Sequence, residues 1–254
     1  MKTLTLLTIM LGACTTEPGG SDVPGDLSGQ FELATVRTMR GELPIAGVDS
    51  DGAGGLWIAY SLSGGDYYAN DDVRVVHLDA AGTKDKEFRF KDEFADVHGI
   101  AFDGHAVWLN HSGGNEYARK IDATTGTVIG SFGTETGVED LDAFDGELRM
   151  SVTWDQVVGL DAETGGQNWR AKDYLETGGA QRGIASMADR RIWVASLSDL
   201  IYLLDPKGHI VGAGRHHLLE YDSWTVDVGM YLAWDGQYVI AAADNQIAWL
   251  EPRN

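Results

Sequence analysis

A single cysteine, Cys14, stands in a chain of 254 residues, so no disulfide can form within it. A disulfide-stapled scaffold is excluded. Positive charge is scarce: 19 Lys and Arg against 39 Asp and Glu leave a formal net charge of −20. Phosphate backbones would repel such a chain, so nucleic acid is not expected as a partner. Long apolar runs are missing as well, and none approaches the roughly 20 residues of a membrane span. No Ser nucleophile elbow, phosphate loop or zinc-protease helix occurs in the sequence. Glycine, in contrast, is abundant. Its 33 residues argue for many tight turns.

The N-terminus reads as an address. Lys2 is followed by the apolar run Leu4 to Met10 and then by Leu11-Gly12-Ala13-Cys14. The run has the length of a signal-peptide core and ends in small residues. Leu-Gly-Ala-Cys resembles the lipobox of bacterial lipoproteins, with Cys14 as the lipidated residue and 1–13 as the removed peptide. The resemblance implies anchoring to a membrane at the cell envelope by several acyl chains. Thr15, rather than Asp, follows the cysteine, which in proteobacterial lipoproteins favours the outer membrane. Residues 14–29 are small, polar and rich in Gly and Pro, and predict a flexible tether.

Residues 30–254 repeat. An Asp-centred turn recurs at Asp51, Asp103, Asp145, Asp189 and Asp235, and a second signal recurs at Leu78-Asp79, Ile121-Asp122, Leu160-Asp161, Leu204-Asp205 and Leu250-Glu251. The period is about 43 residues, with four short apolar-rich strands per unit, the pattern of propeller blades. Trp57, Trp108 and Trp193 share one position in the second strand and read as core between blades. The repeated Asp79, Asp122, Asp161 and Asp205 read as turn caps rather than catalytic groups. The fifth unit stops after its third strand. Gln30 to Thr38 alternates apolar and polar and is expected to supply the missing strand. The fold expected is all-β, a five-bladed β-propeller with four antiparallel strands per blade, closed by the N-terminal strand.

In such a fold the first strands line a central channel. Their starts bring Ala46, His98, Glu139, Arg182 and the neighbourhood of Met230 to one mouth. The ends of the second strands add Tyr60, His111 and Trp154. Two long loops, one holding Tyr67 and the other Trp224, belong on the same face, and long loops on a rigid scaffold commonly carry function. The expected ligand-binding set is His98, His111, Trp154, Arg182, Tyr60, Tyr67 and Trp224. His98, Glu139 and Arg182 could equally form a structural polar ring. His98, His111 and Glu139 contain a known metal-ligand set. They do not all come from one blade and lack local ligand spacing, so neither a metal nor a cofactor is expected.

Three blades carry a family resemblance. Gly137 to Gly165 (GVEDLDAFDGELRMSVTWDQVVGLDAETG), Arg182 to Pro206 and Tyr231 to Pro252 resemble the five-bladed glutaminyl cyclases of plants and bacteria. The resemblance implies formation of N-terminal pyroglutamate with release of ammonia, and it places a family glutamate at Glu139. That chemistry needs a proton shuttle and an oxyanion donor. The family's first-blade glutamate, however, aligns with Ile58 or Ala59. The entries to the first and fourth blades differ too, as Pro44-Ile45-Ala46-Gly47 and Ala180-Gln181-Arg182-Gly183.

Two readings follow. One is a membrane-anchored, non-catalytic lipoprotein, a monomer whose mouth binds a peptide, glycan or protein partner. The other is an active glutaminyl-peptide cyclotransferase in which Glu139 works with Asp140, Asp66 or Asp155.

Overall fold

A computed structural model describes residues 30–61, 70–95, 97–111, 117–134, 137–152, 156–171, 181–196, 200–216 and 230–253. These residues form strands and turns, with no helix among them. The chain opens with β1 (Gln30–Arg40). A first sheet follows: β2 (Ile45–Ser50), β3 (Leu56–Ser61), β4 (Asn70–Leu78) and β5 (Lys84–Ala95). The second holds β6 (Val97–Phe102), β7 (Ala106–His111), β8 (Tyr117–Asp122) and β9 (Val128–Gly133). The third holds β10 (Val138–Phe144), β11 (Glu147–Val152), β12 (Gln156–Asp161) and β13 (Gln167–Ala171). Each of the three is an antiparallel sheet with strands in chain order.

The remaining strands are β14 (Gln181–Ser186), β15 (Ile192–Ser196), β16 (Leu200–Leu204), β17 (Ile210–Arg215), β18 (Met230–Trp234), β19 (Val239–Ala243) and β20 (Gln246–Arg253). They join β1 in one sheet of order β14-β15-β16-β17-β1-β20-β19-β18. β1 lies antiparallel to β20, from Glu32↔Arg253 to Arg40↔Gln246. β20 thus runs past Leu250-Glu251 to Arg253, because β1 offers it a partner that far. The start of β1 also pairs in parallel with β17, Gln30↔Ala213 to Glu32↔Arg215. That second pairing fuses two sets of strands into one sheet. Gln30 to Glu32 are adjacent to β17 only through the tertiary fold, so the local pattern carries no sign of it.

The first strands pack in sequence: β2 beside β6, β6 beside β10, β10 beside β14, β14 beside β18, and β18 beside β2. Neighbouring sheets bury apolar faces against each other, which supplies most of the stabilisation. Trp57 packs with Val107, Leu109 and Ile121 of the second sheet. Trp108 packs with Leu148 and Met150 of the third. Trp193 packs with Leu232 and Val239. The periodic tryptophans are core between sheets.

The repeated aspartates cap turns. Asp79 Oδ1 accepts from the N–H of Ala81 and Thr83 at 2.9 and 2.8 Å. Asp122 and Asp161 bind the N–H of Thr125 and Thr164, each at 2.7 Å. Asp205 binds the N–H of Lys207 and His209 at 2.8 and 2.9 Å. A short carboxylate that satisfies otherwise orphaned turn N–H groups explains why Asp recurs there.

Candidate functional site

The first strands share a defect in register. Ile45 opposes Tyr60 while Gly47 opposes Ala59, leaving Ala46 as an extra residue. The register shifts again between Val97 and Ile100, over His98 and Gly99. It shifts between Val138 and Asp140, over Glu139, and between Gln181 and Gly183, over Arg182. Each is a β-bulge, which bends the strand and re-aims the side chain of the extra residue. Ala46, His98, Glu139 and Arg182 therefore occupy one repeated bulge at the start of four successive sheets. β18 pairs from Met230↔Ala243 without such a shift. Four of the five positions expected at the mouth therefore share one backbone register defect.

Behind the bulge the strands close on one another. A Cβ on Gly47 would stand 2.6 Å from the N of Ile100, on Gly99 2.6 Å from the N of Leu141, and on Gly183 2.6 Å from the O of Met230. Only glycine permits this backbone approach. The third sheet carries Asp140 at the same position. Its Oδ1 accepts from the N–H of Leu141 at 2.9 Å, and its Oδ2 accepts from the N–H of Ile184 and Leu232 at 3.0 and 3.1 Å. Asp140 is fully buried. Burial pushes its carboxyl well above the usual range, against the pull of the three N–H donors.

Two further carboxylates lie one step deeper. Asp49 accepts from the N–H of Ser50 and of Phe102 at 2.7 and 2.6 Å, linking β2 to β6. Asp142 occupies the equivalent position of the third sheet and faces Ser186 of β14, whose hydroxyl accepts from Arg149 Nη1 at 2.7 Å. Asp142 Oδ2 is buried with no hydrogen-bond partner among the described residues. Burial raises Asp49 well above the ordinary carboxylate range, and the charge of Asp142 adds to it. Burial also raises Asp142, opposed by Ser186 and by the Arg149 guanidinium. Asp49 and Asp142 went unnoticed in the sequence, and Asp140 was considered there only as a partner for Glu139, not as a buried link between strands. The available signal was substitution within the repeat: Asp140 stands where the other strands have Gly47, Gly99 and Gly183, and Asp49 and Asp142 stand where others have Ala101, Ala185 and Ala233.

The other expected site residues divide. His111 ends β7 and is buried; its Nε2 faces Arg119 Nε at 3.0 Å, and its ring packs edge-on to Phe94 and stacks on Tyr117. Tyr60 is buried beneath the guanidinium of Arg74, 4.9 Å from the ring centroid, and Arg74 pairs with Glu42 at 2.6 Å. Burial raises the Tyr60 phenol. These two side chains are set by packing at the rim. Trp154, Tyr67, Trp224 and Cys14 lie outside the described residues, as do Asp66, Asp155 and the side chain of Arg182. Among the described residues, no group of three or more His, Cys, Asp or Glu is placed to hold a metal ion. No helix among them is long and apolar enough to cross a membrane.

No family model matches the sequence, and no curated protein matches it. Solved structures do. The glutaminyl cyclase of Myxococcus xanthus aligns with a TM-score of 0.69 at 10% identity, covering 89% of this chain and 98% of that one. The β-propeller domain of Cps50 (Swd1) from Myceliophteria thermophila gives 0.49 at 10% identity, over 83% of this chain and 65% of that one. BamB from Moraxella catarrhalis gives 0.43 at 18% identity, over 83% and 61%. The chain has a β-propeller fold like that of the cyclase. At this identity the likeness is one of fold.

Proposed function

We propose that the chain is a five-bladed propeller, closed by β1 as the outer strand of the last blade, whose mouth binds a peptide, glycan or protein partner without turning it over. We further propose that lipid on Cys14 holds it at the cell envelope, through a removed 1–13 peptide and a tether over 14–29. The cyclic packing of the five first strands and the β1–β20 pairing support the ring.

One observation carries the non-catalytic reading. The positions aligned with the cyclases' first-blade glutamate are Ile58 and Ala59, both fully buried. An apolar residue in the core cannot shuttle a proton. Asp140, the residue next to Glu139, cannot readily replace that glutamate, because its oxygens are engaged by three backbone N–H groups.

The second reading, an active glutaminyl-peptide cyclotransferase, is favoured by Glu139 itself. It sits on the bulge that re-aims side chains, on a fold shared with a cyclase. The two readings separate in one assay: ammonia release from a peptide with N-terminal glutamine, by the purified protein and by Glu139→Gln. The binding reading expects no release above the uncatalysed rate. Turnover abolished in Glu139→Gln overturns it.

A further inference from the structure

Four Asp-Gly bonds occur in the chain, Asp51-Gly52, Asp103-Gly104, Asp145-Gly146 and Asp235-Gly236, and no Asn-Gly bond. Glycine puts no side chain beside its own N–H. The side-chain carbonyl carbon of a preceding aspartate is therefore open to attack by that nitrogen. All four bonds lie in turns that join a first strand to a second. Three of the carboxylates are held. Asp51 Oδ1 accepts from the N–H of Ala53 and of Gly55, both at 2.7 Å. Asp103 Oδ1 accepts from His105 and Ala106 at 2.9 and 2.7 Å, and Asp235 Oδ1 from Gln237 and Tyr238 at 2.9 and 2.7 Å. Each is aimed past the glycine at fixed backbone donors, and must give up charge-assisted hydrogen bonds to turn back.

Asp145 has no such cap. Its hairpin closes at Phe144↔Glu147, which leaves a turn of two residues. The N–H two positions on then belongs to the ladder, and the turn has no donor to spare for a cap. Asp145 and Gly146 both take positive φ, +52° and +77°, as a two-residue turn of this kind requires; Asp51, Asp103 and Asp235 do not. The Asp145 carboxylate points outward, where Oδ2 accepts from Arg190 Nη2 at 2.5 Å, its one hydrogen bond among the described residues. Both side chains are more than half exposed. A surface ion pair of this kind opens at little cost, whereas a backbone cap does not. A Cβ on Gly146 would meet nothing within 4 Å, so water reaches the turn.

We propose that Asp145-Gly146 is a modification site, at which the folded chain isomerises spontaneously to an isoaspartyl linkage. The Gly146 nitrogen bonds to Asp145 Cγ and closes a five-membered imide; its proton and the carboxyl OH leave as one water. Water then adds back. At Cγ it restores aspartate. At the α-carbonyl it breaks the original peptide bond, so the chain runs through Cβ and Cγ and the α-carboxylate is free. One water is released and one consumed, and no cofactor or oxidant takes part. The product inserts an extra methylene into a two-residue turn at the end of β10, the strand that carries Glu139 and Asp140.

The test ages the full chain in warm neutral buffer. Isoaspartate is located by peptide mapping and counted by methyl transfer from an isoaspartyl methyltransferase. In the folded chain it should form in the Asp145 peptide about tenfold or more faster than in the peptides of Asp51, Asp103 and Asp235. In guanidinium chloride the turns are lost and the four rates should converge. Asp145→Glu would have to close a less favourable six-membered ring, and should remove most of the methyl label that folded ageing adds. Four results overturn the proposal: no isoaspartate at Asp145 in the folded chain, equal rates at the four sites there, a preference for Asp145 that persists in denaturant, or label that survives Asp145→Glu. None of these outcomes depends on whether the mouth binds or turns over a substrate.

Discussion

The carboxylate of Asp140 on β10 accepts a hydrogen bond from the backbone N–H of Leu232 on β18, at 3.1 Å and 92 positions away in the chain. The same oxygen accepts from Ile184 at 3.0 Å. One side chain thereby ties three first strands, β10, β14 and β18, at the point where they converge. Asp140→Ala takes their side-chain acceptor from three buried N–H groups, those of Leu141, Ile184 and Leu232, and should cost about 2–4 kcal/mol. Asp140→Asn keeps one carbonyl oxygen and should cost less. Urea unfolding of both variants measures the difference, and equal stability of Asp140→Ala and the parent would remove the stapling role.

Glycine at the same position in other sheets makes an independent prediction. Gly99 has φ +81°, and a Cβ there would stand 2.6 Å from the Leu141 N, against backbone that cannot yield. Gly104 has φ +91° with nothing within 4 Å of its Cβ. Gly104→Ala should therefore cost about 1 kcal/mol, the conformational penalty alone. Gly99→Ala adds overpacking and should cost about 3 kcal/mol or more, or prevent folding. Thermal melts of the pair separate strain from crowding.

The buried carboxyls give a pH dependence of unusual sign. Asp49, Asp140 and Asp142 are raised by burial in the folded state. The folded state then binds more protons than the unfolded one. Their contribution is fully present below the ordinary carboxylate value and is lost as pH rises through the raised folded values. Asp51 and Asp103 act oppositely: burial raises them, but turn N–H donors outweigh it, with His77 for Asp51 and Trp108 for Asp103. Glu87 is lowered to about 2 by Lys84 and Arg89. Stability from these groups is lost as pH falls through the folded values. Melting temperature should peak in the mildly acidic range. Asp49→Asn should flatten the alkaline side of that profile, and a parent profile with no alkaline decline would refute the assignment.

The edge of β20 yields a fourth expectation. β1 covers it from Arg253 to Gln246, and the Arg37 guanidinium lies 4.1 Å over the Trp249 ring. Deleting 1–29 should leave the melt unchanged. Deleting 1–40 strips the partner strand and should give unfolded or aggregated protein. Size-exclusion chromatography with circular dichroism distinguishes the two truncations.

Much of this was legible because it is local. The Asp turns and the tryptophan position recur at fixed offsets, and short-range hydrogen bonds and strand alternation are written in neighbouring residues. The caps at Asp79, Asp122, Asp161 and Asp205 follow from four or five residues each. The equivalence of Ala46, His98, Glu139 and Arg182 along the repeat was found by counting, but the bulge that they share was not, since a register shift needs both strands.

The chain's repeat therefore determined by itself which residues become strands, which become turns and which tryptophans enter the core. Only the tertiary structure decided that the start of β1 also meets β17, that Asp140 spans to Ile184 and Leu232, and that His111 and Tyr60 are held by packing. Those contacts join residues far apart in sequence. Their energy depends on distances and burial that come into being only when the sheets converge.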